Sequence, residues 1–296
     1  MQGTIPERWL IIGAFFVTYF VWGSTYLVNY LAIESIPPFL MSGARFFTAG
    51  ALLFLWASWR GHPMPAPSEW RNASGMGILF LSLGTGGVVW AQQYIDTGLA
   101  ALLVAFDPLL IMLLMWVLLG QRPAMLSLVG AGIGIVGMGM LVGQPQLVKN
   151  AESVAGLMAI GLSMFSWAIA SIYVSRLPMP SSRLRTSAVQ MLGGGAALLL
   201  FSFFSGESAG FRLGQVSQQS ALSWGFLVLM GSLLAFSCFN YLLTKVSPEK
   251  VATNTYVNPV VAMTLGWAFN NEQITAQSIL AGAIMITGVF FINVKR

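Results

Sequence analysis

Ten mainly apolar runs follow one another along this chain, each near the roughly 20 residues that a helix needs to cross a bilayer. They cover about 9–30, 39–59, 72–95, 98–119, 124–142, 154–176, 184–205, 221–245, 250–270 and 275–294. The links between them are short and carry turn residues, as at Pro37-Pro38, Asp96-Thr97-Gly98 and Gln121-Arg122-Pro123. The runs predict an all-α integral membrane fold, an up-down bundle of ten transmembrane helices. Charged residues make up 8% of the 296, against about a quarter in soluble chains, which excludes two soluble domains of the same length. Arg8 precedes a first run longer than a signal-peptide core, so that run reads as a retained span. The single cysteine, Cys238, rules out an internal disulfide and a cysteine-rich metal site, and no cofactor is expected. The basic residues are dispersed, so the net charge of +5 does not predict a nucleic-acid partner.

Those basic residues instead set orientation. Links on the N-terminal side hold Arg8, Arg60, Arg71, Arg122, Arg176, Arg183, Arg185, Lys245, Lys250, Lys295 and Arg296, whereas the opposite side holds Lys149 and Arg212. Both termini are therefore expected in the cytoplasm. The halves also repeat. Trp22 matches Trp167 and Arg45 matches Gln190 at an offset of 145; Gln93-Tyr94 matches Asn240-Tyr241 at 147; Asp107-Pro108 matches Asn258-Pro259 at 151. The order never breaks, although apolar helices also align by chance. Two units are predicted, 1–146 and 147–296, of five spans each. An odd number of spans makes the repeats inverted, with a substrate site expected near the midplane at their interface.

With these residues in view, the chain resembles the drug/metabolite transporter superfamily, in its ten-helix EamA-type branch. The resemblance rests on Trp22-Gly23-Ser24, Ala44-Arg45-Phe46, Pro108 and Pro259, the Gly130/Gly137 rows and Glu272. Gln121 departs from it, since glutamate is common at that place. Within the branch the chain is most similar to bacterial exporters of amino acids, aromatic ones included. The resemblance implies a secondary transporter in the inner membrane with a small-molecule substrate, and no enzymatic role.

Two sets of residues are candidates for substrate handling. Asp107-Pro108 and Asn258-Pro259 each place a cap-type residue and a proline inside an apolar run, so each span can be read as two half-helices, the second capped by Asp107 or Asn258. A simple kink is the other reading. Asp107 and Arg45 are the ionisable residues inside spans, about 13 Å and about 9 Å from the outer face at 1.5 Å per residue. A structural ion pair, a substrate contact and a proton-coupling carboxylate are the three readings of this pair.

The second set is aromatic and amide: Trp22 and Tyr26 in the first span, Trp90, Gln93 and Tyr94 in the third, Trp167 in the sixth, Asn240 and Tyr241 in the eighth, and Asn254, Tyr256 and Asn258 around the second proline. Buried amides need partners, so Gln93, Asn240, Asn254 and Asn258 are expected to look inward. An interfacial belt is the competing role for the aromatics. Such a lining suits a neutral or zwitterionic solute. A multidrug or cationic-metabolite exporter is the rival within transport, and a membrane-embedded enzyme the rival outside it; against the latter, HExxH and phosphate-loop motifs are missing and His62 lies in a loop. Glycines crowd the fifth span and can serve packing within a monomer or a homodimer face.

Overall fold

The structure, a computed structural model, describes residues 6–144, 150–246, 251 and 254–293. Among the described residues, eight helices are long and apolar enough to cross a membrane: α1 Glu7–Ile33, α2 Pro38–Trp59, α3 Pro67–Ala91, α4 Thr97–Leu119, α5 Met125–Val142, α6 Ala151–Arg176, α7 Arg183–Phe204 and α8 Gln218–Leu242. The ninth and tenth expected spans are represented by α9, Asn254–Asn270, and α10, Ala276–Asn293. The boundary between 146 and 147, and with it Lys149, Pro248, Lys250, Ala252, Lys295 and Arg296, lies outside the described residues.

Local chemistry moves several helix ends from where hydropathy alone puts them. α3 begins at Pro67 rather than near residue 72, because proline fits a first helical position and the Glu69 carboxylate accepts the Ala66 N–H at 2.8 Å. It ends at Ala91, so Gln93 and Tyr94 fall in the turn beyond it. α4 stops at Gly120, whose φ of 66° closes the helix in the left-handed conformation.

The main helix contacts recur when the two halves are exchanged. α2 lies along α7, α4 against α9 and α5 along α10; α3 rests on α6 as α8 rests on α1, and α4 on α6 as α9 on α1. Glycines permit the closest of these approaches. A Cβ on Gly195 of α7 would lie 2.4 Å from the Phe47 nitrogen of α2, and one on Gly288 of α10 would lie 2.6 Å from the Gly130 oxygen of α5. Gly130, Gly134 and Gly137 therefore serve contact within the chain.

Three spans widen locally into π-helical turns: Val17–Val21 in α1, Ile78–Gly86 in α3 and Leu227–Leu234 in α8. The last two occupy matching places in the two halves. Wide turns leave carbonyls off the regular ladder, and here a neighbouring helix supplies donors. Ser166 and Ser163 of α6 donate to the Leu79 and Leu83 carbonyls at 2.8 and 2.9 Å. Trp22 Nε1 donates to the Gly231 carbonyl at 3.2 Å.

Candidate functional site

Arg45 and Asp107 do not pair. The Arg45 side chain, 4% exposed, donates from Nε to Ser232 Oγ at 2.8 Å and from Nη1 to Asn29 Oδ1 at 2.9 Å. Its guanidinium also lies over the Phe46 ring, 4.7 Å from the centroid. A buried cation is thus held wholly by neutral groups from α1, α2 and α8. Asp107 is 7% exposed, and its Oδ1 is fully buried without a hydrogen-bond partner among the described residues. Of the three readings of these two residues, the ion pair is not formed among the described residues, and the two side chains stand apart.

The first break is present, but it is built differently from the expectation. α4 is helical over Thr97–Val104, turns at Ala105 and Phe106, and restarts at Asp107. The N–H groups of Leu109 and Leu110 take the Phe106 carbonyl at 3.1 and 3.3 Å, so the new helix closes on Phe106 and Asp107 does not cap it. Pro108 sits in the first turn, where a missing donor costs nothing.

The second site is not a restart. α9 runs on through Pro259, and the proline removes the donor that would have met the Thr255 carbonyl. Nor does Asn258 cap. Acceptors alone surround one end of its amide, which identifies that end as the nitrogen; it reaches the Tyr19 and Thr18 carbonyls at 2.8 and 3.2 Å, inside the wide turn of α1. Asn254 is buried, and the Tyr256 side chain lies outside the described residues.

The aromatics divide into an inner and an outer group. Trp22 of the first half and Trp167 of the second pack on one buried apolar cluster that includes Phe46, Phe80 and Phe236. Trp22 meets Phe239 at 5.0 Å and Trp167 meets Phe80 at 4.8 Å between ring centroids. Tyr26 borders a second cluster with Leu99, Leu103 and Met164. Trp90 and Tyr94 stack edge to face at the far end of α3, where Gln93 is exposed and bonds only to its own Trp90 carbonyl. The inward amide is Gln92, 1% exposed, which donates to the Tyr26 carbonyl at 2.9 Å. The phase of Val89, 0% exposed and three residues earlier, was the signal that separates Gln92 from Gln93.

Asn240 and Tyr241 border a cavity of about 200 Å³ between α7 and α8, with Arg183, Leu184, Ser187 and Ser237. Asn240 Nδ2 donates to Ser187 Oγ at 2.6 Å.

Two carboxylates that pattern reading did not place at a function organise the opposite end. Glu272, between α9 and α10, accepts from Thr97 N and Oγ1 at 2.9 and 2.8 Å and from Gly98 N at 3.1 Å. Glu207, after α7, accepts from Phe39 N and Leu40 N at 3.1 Å each and from Ser202 Oγ at 2.7 Å. Each acid fills the start of a first-half helix, where N–H groups are unsatisfied and negative charge is favoured.

The profile of the EamA-like transporter family matches this chain twice, over residues 9–143 and 154–294. Among curated proteins, the inner membrane transporter YedA of Escherichia coli is 35% identical over 287 residues, covering 97% of this chain and 91% of the relative. The transporter YoaV of Bacillus subtilis is 24% identical, over 95% of each chain. Protein PecM of Dickeya dadantii is 28% identical over 92% of this chain and 86% of its own. A protein crystal structure shares the fold, with a TM-score of 0.65, 20% identity and 95% of each chain covered.

Proposed function

The chain belongs to the EamA-like transporter family, and from that premise we propose that it exports amino acids, aromatic and other neutral ones included, across the inner membrane by alternating access. That it is a membrane transporter of small metabolites and not an enzyme follows from the family itself. The finer reading adds two inverted five-helix repeats and termini in the cytoplasm. Two successive family matches and a packing pattern that survives exchange of the halves support the repeats. The distribution of arginine and lysine supports the orientation.

One observation carries the choice of solute. The bundle interior holds the Arg45 guanidinium, bonded to Asn29 and Ser232, and the Asp107 carboxyl, with no ion pair between them among the described residues. A zwitterion brings both complementary charges at once, and its own net charge of zero means that the membrane potential does no work on it. Trp22, Trp167 and Tyr26 supply apolar surface for its side chain. The lone carboxylate also favours a second reading, export of a cationic metabolite, but that solute would leave Arg45 unmatched.

Purified protein in liposomes, loaded with labelled phenylalanine or leucine, tests the proposal. Amino-acid efflux lost in both Arg45→Gln and Asp107→Asn is the expected result. Flux of a lipophilic cation without any amino-acid flux would transfer the assignment to the second reading. A pH profile unchanged between wild type and Asp107→Asn, at normal flux, would remove proton coupling from this carboxylate.

A further inference from the structure

Among the described residues, the cavity between α7 and α8 is lined by hydrogen-bond donors and by no acid. Arg183, the first residue of α7, is exposed at its edge, and no ion-pair partner for it is found among the described residues. Its neighbour in charge, Lys245, is taken by Glu7 at 2.5 Å. Asn240 spends one amide hydrogen on Ser187 Oγ, which leaves a second available. Ser237, one turn deeper on α8, has a buried hydroxyl with no partner. The start of α7 adds the positive end of a helix. Unsatisfied donors gathered around about 200 Å³ form a place prepared for an anionic group rather than a packing defect.

We infer that this cavity seats the carboxylate of the solute at the end of the bundle that carries Glu7, before the solute moves inward. The inference rests on the amino-acid reading above and deepens it. Arg183 and the Asn240 amide hold the carboxylate, Ser237 donates from below, and the Tyr241 ring borders the solute's apolar part. One turn further along α7, Gln190 is 1% exposed and its Oε1 meets no donor. Gln190 lies deeper along α7 and does not line the cavity itself. Gln190 is also the residue that the repeat offset matches to Arg45.

The test compares binding of three compounds of one skeleton to the purified full-length protein: L-phenylalanine, phenylpropionate without the ammonium, and phenethylamine without the carboxylate. In Arg183→Gln, the Kd for phenylalanine and for phenylpropionate should rise about tenfold, as for loss of a hydrogen bond to a charged group, with phenethylamine unchanged. Ser237→Ala should act in the same direction and less, and Arg183→Lys should recover part of the loss. Unchanged phenethylamine affinity and melting temperature show that the variants are folded. Equal affinity of wild type and Arg183→Gln for both carboxylates overturns the seat. Loss of the Arg183 dependence on adding phosphatidylglycerol also overturns it, since a lipid phosphate is then the occupant. Arg183-dependent phenylpropionate binding with no flux of any amino acid leaves the seat standing and overturns the amino-acid reading.

Discussion

The two ends of the bundle are held by different chemistry. At the end away from Glu7, the carboxylates of Glu207 and Glu272 cross from second-half connections to the starts of α2 and α4, and Ser220 Oγ reaches the Leu31 carbonyl at 2.8 Å. At the Glu7 end, Arg185 ties α7 to the last turn of α2 through the Phe54 carbonyl and Ser58 Oγ, at 3.1 and 2.9 Å. That bond lies within a helix pair already closely packed. Between α1 and α8 the polar link is the exposed Glu7–Lys245 pair, beside the α7–α8 cavity and next to an apolar contact that includes Ala14 and Leu242. The difference is one of reversibility. Backbone N–H groups capped by a carboxylate are costly to leave unmet, whereas an exposed ion pair opens into water at little cost.

The strongest way to break this comparison is to lock the capped end. Ser35 and Ser217 approach to 3.5 Å between their Oγ atoms, so Ser35→Cys with Ser217→Cys, in a Cys238→Ser background, should cross-link there. Flux should fall to background on oxidation and return on reduction, while phenylalanine binding persists. Full flux in the cross-linked protein would mean that this end never opens. Next in size, Glu272→Ala should destabilise the protein by about 2–3 kcal/mol in detergent melting, because it strips acceptors from two N–H groups and the Thr97 hydroxyl. Glu207→Ala should cost a similar amount, about 2–3 kcal/mol, because it strips the Phe39 and Leu40 N–H groups and the Ser202 hydroxyl. If both were silent, the capped end would be no firmer than the other.

Pro259→Ala should sharpen the contrast within the moving part. It restores a donor for the Thr255 carbonyl, stiffens α9, and should lower turnover with the ranking of solutes unchanged. A changed ranking would place Pro259 at the solute instead. The smallest effect is expected from Glu7→Gln, which should leave the melting temperature where it was at neutral pH. Lys245 is pushed up from its ordinary value chiefly by its hydrogen bond to Glu7. The small contribution of this pair is therefore fully present below the ordinary lysine range and fades as pH rises through the raised value. A large loss of stability at neutral pH in this variant would erase the distinction between the ends.

Much of this architecture can be read from the chain. Apolar runs of the right length place α1 to α8, and the offset pairs Trp22 with Trp167 in one cluster. Side-chain aim is what pattern reading misses. Gln93 and Gln92 are adjacent and chemically equal, and only the phase of α3 decides which looks inward. Asp107 and Asn258 are good caps by type, yet the turn closes on Phe106 in one case and the amide is drawn to the α1 carbonyls in the other. Arg45 lies at a depth that allows pairing with Asp107, but Asn29 and Ser232 stand nearer in the fold. Except at Asp107, where the turn closes locally on Phe106, each miss arises where a neighbouring helix supplies the partner.

A wide turn is also a change of phase. Each residue added to a turn rotates the later part of the helix by about 100° around its axis. Val89 and Gln92 face the interior because Ile78–Gly86 is wound as it is, and Ser237 and Asn240 border their cavity because of Leu227–Leu234. Deleting one residue from either segment would turn the polar row beyond it toward another neighbour without altering a single polar residue. The compass bearing of the site is thus set several turns away from it, in two stretches that contain no charge at all.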